Sequence, residues 1–405
     1  MVRPFRILMI SPQFRPLVGG YERAAERLSA ELGRRGHAIT IITERRDPEW
    51  AGREAIQALT VRRLWCIYRP GLHIITSLLS FSRFLLRNGL KYDVFHVHQY
   101  GAHAAMAVLF GRLLGRPVVL KITSTGSLSI ENTIAGYRRL RRYAFTFLHR
   151  RVDACIAISA DAAREAAEFG IPQERIVLVP NGIDTDYFRP CSEQQKAAAK
   201  KALGINHRHM VLYCGRLCEP KNPDGLLDAW ASVVREFQDV LLCYVGDGAL
   251  RTTLTEKTDR LGLQDTVRFV GQKSEVRKWY HAADVFALPS HNEGLSNSLL
   301  EAIGCGLPIV ATRISGTIDL FRLGEPGLLV DDTDVKKLSD ALIKILGDCS
   351  CRRAFGISAS EIAAKHYSIG GVAGSMERLY SSLIRKDASH RRSPYSLTTE
   401  IDPSD

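Results

Sequence analysis

Two acids and two cations stand apart in this sequence by their setting. Glu293 and Glu301 lie eight positions apart in HNEGLSNSLLEAIGCGLPIV, residues 291–310, where the only other side chain able to carry charge is His291. A carboxylate in so apolar a stretch is costly unless something pairs with it. Ionised, it only accepts hydrogen bonds, and its two oxygens match the two donors of a vicinal diol. Arg216 and Lys221 follow an apolar run in YCGRLCEPKN. Two cations fixed on one short loop suit a diphosphate whose charge grows as a bond to it breaks. Taken alone, two bases on a loop of a basic protein are an ordinary surface feature.

The element that positions the acids is a strand followed by a helix. DVFALPS (284–290) reads as a strand, and a helix is expected to start near residues 295–297 and to stop at Gly304 or Gly306. Its first turn, with Gly294, Leu295, Ser296 and Asn297, offers unpaired backbone N–H groups and the positive end of the dipole, a seat for phosphate. Glu293 precedes that seat, and Glu301 lies about 7 Å further along the axis. A nucleoside diphosphate sugar has the same order of parts. The spacing therefore assigns the sugar hydroxyls to Glu293, pyrophosphate to the helix start and the ribose diol to Glu301. The plainer alternative makes Glu293 an electrostatic cap and puts Glu301 on a solvated face, but Leu299, Leu300 and Ile303 argue against free solvation of Glu301.

Around this stretch the chain alternates short branched apolar runs with helical spacing. FRILMIS (5–11), HAITIIT, YDVFHVH (92–98), RPVVLKIT (116–123), VDACIAIS (152–159) and RIVLVP (175–180) form one series of strands. MVLYCGRL (210–217), VLLCYVGDG (240–248), VRFVG (267–271), DVFALPS, LPIVAT (307–312) and GLLV (327–330) form a second. The pattern predicts an α/β chain of two doubly wound parallel sheets, their ligand ends facing a cleft. The turn signal PNGID (180–184) and the polar segment that follows divide them. The expected units are 1–185, 186–365, a C-terminal helix at 366–386 returning to the first unit, and a polar tail at 387–405 expected to be disordered.

The 405 residues include 55 Lys and Arg against 43 Asp and Glu, a net charge of +12, which favours anionic partners without choosing among them. Nine scattered cysteines lack a zinc-site framework and read as reduced thiols. No secretory segment and no run of 18 apolar residues is found, so a cytoplasmic protein is expected.

Glu293, seven residues and Glu301, inside PSHNEGLSNSLLEAIGCGLPIVAT, resemble the signature of family four retaining glycosyltransferases. The likeness runs in order from Gly19-Gly20 through VPNGID to GLLVDDTD. It implies the GT-B fold, two Rossmann-like domains about a central cleft, with the acceptor on the N-terminal side and the nucleotide sugar on the C-terminal side. The family's GRL…K motif falls on Arg216 and Lys221, which with Glu293 are the expected catalytic residues. Glu301, the turn 294–297, Gly19, Gly20 and the loop Gly271, Gln272, Lys273, where similar enzymes hold the base, are the expected donor contacts.

One departure matters on the acceptor side. Many relatives place a histidine where Thr123 falls, and His98 or His103 in HVHQYGAH could stand in, although a histidine at a strand end is as often a packed one. Retention in the family is explained by front-face substitution in which the leaving phosphate takes the acceptor proton, so no dedicated base is needed.

No cofactor or metal is expected beyond the nucleotide sugar itself. The Asp184-Thr185-Asp186 sequence mimics a metal-binding DxD but reads better as a turn cap. The implied reaction is retaining transfer to a hydroxyl of a carbohydrate or lipid-linked acceptor, as in polysaccharide precursors. The arginine-rich segment YRRLRRYAFTFLHRRV (137–152) suggests peripheral contact with the inner face of an anionic membrane, or else a solvated face over a core helix. The rival readings are an epimerase-like enzyme of the same fold and a non-catalytic basic protein that binds membrane or nucleic acid.

Overall fold

The computed structural model describes residues 3–17, 19–56, 59–122, 147–331 and 334–392. Two sheets account for the strands. The first has the order β3-β4-β2-β1-β5-β6-β7-β8, built from β1 Arg6–Ile10, β2 Ala38–Arg45, β3 Arg53–Ile56, β4 Leu59–Trp65, β5 Val94–His98, β6 Val118–Ile122, β7 Ala154–Ala157 and β8 Ile176–Leu178. All its pairings are parallel except β3 with β4. The second has the order β11-β10-β9-β12-β13-β14, entirely parallel, from β9 His209–Cys214, β10 Val240–Val245, β11 Val267–Gly271, β12 Val285–Leu288, β13 Ile309–Thr312 and β14 Gly327–Val330.

Every expected strand is present, because runs buried on both faces are nearly continuous in branched apolar residues. The hairpin β3–β4 was not anticipated. Its second strand contains Arg62 and Arg63, a poor advertisement for a strand. Yet Arg63 is buried, donating to the Arg15 carbonyl at 2.9 Å and the Ala51 carbonyl at 3.0 Å, and pairing with Glu54 at 2.7 Å.

Helices cover both faces of each sheet. In the first, α1 (Gly20–Arg34) packs against the terminal helix Ile369–Arg392, while α2 (His73–Asn88) and α3 (Ala102–Leu114) lie together on the other face. The terminal helix is pinned by Tyr380, whose hydroxyl meets His96 Nδ1 at 2.6 Å, and by Glu377, which bonds Arg35 at 3.1 Å and His37 at 2.9 Å. It runs to Arg392 and so takes in 387–392, residues expected in the tail. The chain enters and leaves the second sheet at one place, where Ile183 N donates to Tyr367 O and Ile369 N to Ile183 O, both at 2.8 Å.

Candidate active site

In the second sheet the strand order reverses between β9 and β12, and the crevice at such a reversal is where ligands of open α/β sheets bind. Arg216 and Lys221 leave the end of β9, and Glu293 leaves the end of β12. Lys221 closes a short turn, Glu219–Lys221. Asn222, at φ 47°, then caps the helix Pro223–Glu236, its Oδ1 accepting from Gly225 N at 3.0 Å. Held by that cap, Lys221 Nζ forms an ion pair with Glu293 Oε1. A backbone bond from His291 N to Pro220 O at 3.0 Å ties the two loops, and Ser290 Oγ donates to Glu293 Oε2 at 3.3 Å. Two residues 72 positions apart in sequence are thus one unit in space. Arg216 is exposed at the rim, its backbone fixed by the Tyr213 hydroxyl, which donates to its carbonyl at 2.7 Å.

The helix after Glu293 spans Asn297–Gly304, and its N-cap, Ser296, makes no side-chain cap; its Oγ meets Ser298 Oγ at 2.9 Å instead. The amides of the first turn are therefore not taken by the cap. Gly294 and Leu295 are buried, and the turn is pressed onto Gly316, where a Cβ would lie 1.7 Å from the Gly294 carbonyl. The close approach expected at Gly294 is thus made by protein backbone, and Gly316 is the glycine it requires. From across the crevice, Gly20 O accepts from Asn297 Nδ2 at 2.7 Å. The Glu22 carboxyl folds over Gly19, so that a Cβ there would sit 2.6 Å from Oε2, and burial raises its pKa. The start of α1 therefore lies under a carboxyl of its own chain, and of the two glycines Gly20 is the one that meets the helix Asn297–Gly304.

Glu301 is 1% exposed. Its Oε2 accepts from the Tyr280 hydroxyl at 2.8 Å, and its Oε1 pairs with Arg27, which reaches over from α1 and also lies 5.4 Å from the Phe188 ring centroid. One Arg27 nitrogen, Nη1, is buried with no hydrogen-bond partner. Neither Arg27 nor Tyr280 was singled out from sequence. The signal for Arg27 was a cation on the inward face of an amphipathic helix, ambiguous without knowing what that helix faces.

At the end of β11, Gly271 has φ 76° and its carbonyl accepts from Gly246 N at 3.0 Å, leaving Gln272 and Lys273 exposed beside the crevice. Gly246, at φ 147°, could not carry a side chain, since a Cβ would be 1.9 Å from the Gly215 carbonyl.

Of the two histidines expected on the acceptor side, His98 is corrected. His98 is fully buried, stacked on His96 with centroids 4.3 Å apart and 3.5 Å from the Met9 sulfur, and burial holds its pKa down at about 3. A ring so placed is packing, not a base for an acceptor. His103 turns to α2 and β2, bonding Ser77 Oγ at 2.9 Å and approaching Glu44 at 3.7 Å. It belongs to a network in which Glu44 also accepts from Arg46 at 3.1 Å and meets His73 at 3.0 Å. Thr123, most of the 137–152 segment and residues 393–405 lie outside the described residues. Asp184 Oδ1 accepts from the backbone of Asp186 and Tyr187, both at 3.1 Å, as a turn cap does. All nine cysteines are free thiols. Among the described residues no helix is long and apolar enough to cross a membrane.

Comparison with known proteins agrees with this geometry. The model of glycosyl transferases group 1 matches residues 195–361, and that of Glycosyltransferase Family 4 matches residues 18–187. A D-inositol 3-phosphate glycosyltransferase of Corynebacterium urealyticum is 32% identical over 93% of this chain and 96% of its own. The chain belongs to the group 1 glycosyltransferases. A GDP-mannose-dependent alpha-(1-6)-phosphatidylinositol monomannoside mannosyltransferase of Mycolicibacterium smegmatis is 29% identical over 90% of this chain and 94% of its own. HepE of Anabaena, in complex with UDP-glucose, superposes with a TM-score of 0.76 at 19% identity, covering 93% of this chain and all of that one. The group 1 glycosyltransferase described here accordingly has the GT-B fold, two Rossmann-like sheets, and is an enzyme that transfers sugar from a nucleotide sugar. Membership in the group sets aside the epimerase-like and non-catalytic readings.

Proposed function

We propose that this glycosyltransferase moves a sugar, with retention, from a nucleoside diphosphate sugar seated at the β9/β12 reversal to a hydroxyl presented from the N-terminal half. The observation that carries this reading is the Lys221–Glu293 pair, which sets a cation and a carboxylate against the uncapped start of the helix Asn297–Gly304. The diphosphate lies on those amides, with Lys221 and Arg216 stabilising the negative charge that develops on it. On donor binding Lys221 turns from Glu293 to phosphate, and Glu293 accepts from the sugar hydroxyls. The bond between the anomeric carbon and the phosphate oxygen breaks as the acceptor oxygen bonds the same face of that carbon, and its proton passes to the departing phosphate. With both cations in place, the chain supplies the charge that a metal would otherwise bring.

The base rests on Gly271–Lys273, and Glu301 receives the ribose diol once Arg27 has moved away, because at 1% exposure nothing can reach it before then. Two relatives named for inositol-containing acceptors support a carbohydrate or lipid-linked acceptor here. Thermal shifts with UDP, GDP, ADP and their sugars test the donor assignment: one family of diphosphates stabilises the protein by mass action. If none raises the melting temperature in the wild type, the donor seat is wrongly placed. Loss of the shift in Glu301→Ala for a ribonucleotide, but not for its 2′,3′-dideoxy analogue, identifies the ribose contact.

A further inference from the structure

α2 buries Phe81, Phe84 and Leu85 in the core and carries a second apolar face outside. Its hydroxyls point inward: Thr76 Oγ1 donates to Leu72 O at 2.8 Å, and Ser77 Oγ bonds Glu44 at 2.9 Å. Outside, Ile75, Leu79 and Leu86, at helical spacing, are 58%, 64% and 60% exposed, and Leu90 continues the stripe. On α3, which packs beside it, Leu109 and Leu113 are exposed four residues apart. Of the seventeen large apolar side chains exposed among the described residues, ten fall between 65 and 113. A helix apolar on both faces has a second apolar neighbour, and exposed apolar surface so concentrated marks an interaction site.

Charge says what that neighbour is. Residues 59–122 hold nine Lys and Arg and a single acid, and with the buried Arg63 and Lys121 set aside seven cations remain against that one acid. The one acid, Asp93, is paired with Arg6 at 2.8 Å. Arg83 and Arg87 rise from the apolar stripe of α2, and Arg112 from that of α3, all exposed. At the crevice end of the stripe stand the exposed aromatics Trp65 and Tyr68, residue types that settle at the boundary of lipid and water. Leucine and isoleucine flanked by arginine, on helices too short to span, match a surface that lies in the headgroup region.

We propose that the α2–α3 face is the docking surface of this enzyme for an anionic bilayer, with the apolar stripe entering the acyl boundary and the arginines meeting lipid phosphates. A membrane held there adjoins the acceptor side of the crevice, since α2 begins next to Glu44 at the end of β2. The proposal uses none of residues 137–152, and its test reads no transfer, so it stands or falls apart from the assignment of the donor site.

The full chain should sediment with vesicles of phosphatidylcholine and phosphatidylglycerol in equal parts, should not sediment with phosphatidylcholine alone, and should be released by salt. Arg83→Ser with Arg87→Ser should weaken binding about 25-fold, at about five-fold for each arginine. Leu79→Gln with Leu86→Gln should weaken it at least as much with the melting temperature held, since both side chains face solvent. Failure of the wild type to sediment at low salt overturns the proposal. So does wild-type binding by both double variants, which would move the contact elsewhere. A lipid-free doubling of mass that Leu79→Gln with Leu86→Gln reverses, without vesicle binding, would assign the face to a second copy and overturn it equally.

Discussion

In the C-terminal sheet three neighbouring strands end in glycine: Gly215 follows β9, Gly246 follows β10 and Gly271 closes β11. In the N-terminal sheet the matching ends carry side chains, Arg45 on β2, Trp65 on β4 and His98 on β5. At those three ends the C-terminal half brings backbone close against backbone. The N-terminal half sets side chains there, some in networks such as Glu44 with Arg46, His73 and Ser77. On the assignment proposed above, close backbone serves the parts that donors share, and side chains serve what distinguishes one acceptor from another.

This contrast can be broken most sharply at the chemistry. Glu293→Ala and Arg216→Ala should each lower kcat/KM by about a hundred- to a thousandfold, the loss typical of a charge-stabilising group, while the melting temperature stays put. Near-wild-type turnover in either would remove that residue from the site. Next in size, Gly246→Ala should destabilise the protein by about 3 kcal/mol, since it combines a strained φ with a Cβ 1.9 Å from Gly215 O. Trp65→Ser, at an exposed end of the other sheet, should stay within about 0.5 kcal/mol. Denaturant titration of the two variants would show whether only the C-terminal half depends on its backbone.

Acid should separate the halves as well. His96 and His98 are fully buried, and burial holds both below the ordinary imidazole value, His98 at about 3. Their unfolded forms take up protons below about pH 6.5 while the folded forms do not, so the stability they allow is present above that value and is lost as pH falls. By pH 5 the loss from His98 should be about 2 kcal/mol, and His96 should add to it in the same direction. No histidine described in the C-terminal half is fully buried. Hydrogen exchange between pH 7 and 5 should therefore show the first sheet opening before the second, and the reverse order would refute the assignment. The smallest effect is expected at the contact between halves. Arg27→Met should tighten nucleoside diphosphate binding by about tenfold, or about 1.4 kcal/mol, by clearing Glu301. A 2′,3′-dideoxy analogue should gain nothing, and weaker binding of both would make Arg27 a donor ligand instead.

The same contrast explains how much could be read from sequence. The places of Glu293, Arg216 and Lys221 could be read because their loops follow buried strands directly, so position along the chain nearly determines position in space. That of Arg27 could not, because its meaning lies in a partner 274 residues away. His98 was misplaced for a related reason: alternation puts it at a strand end but does not say which side of the sheet is sealed. The β3–β4 hairpin escaped because Arg63 satisfies its charge with carbonyls of distant loops, which composition does not show.

The seam at Ile183 and Ser368 has a consequence for motion. Both crossings of the polypeptide meet there, held by two backbone bonds, and Gly182 is packed so closely that a Cβ would come within 2.6 Å of the Ile369 side chain and 2.9 Å of its backbone. With both threads gathered at a single axle, a swing of the crevice's mouth would cost neither sheet a strand, and a side chain at Gly182 would wedge the axle apart.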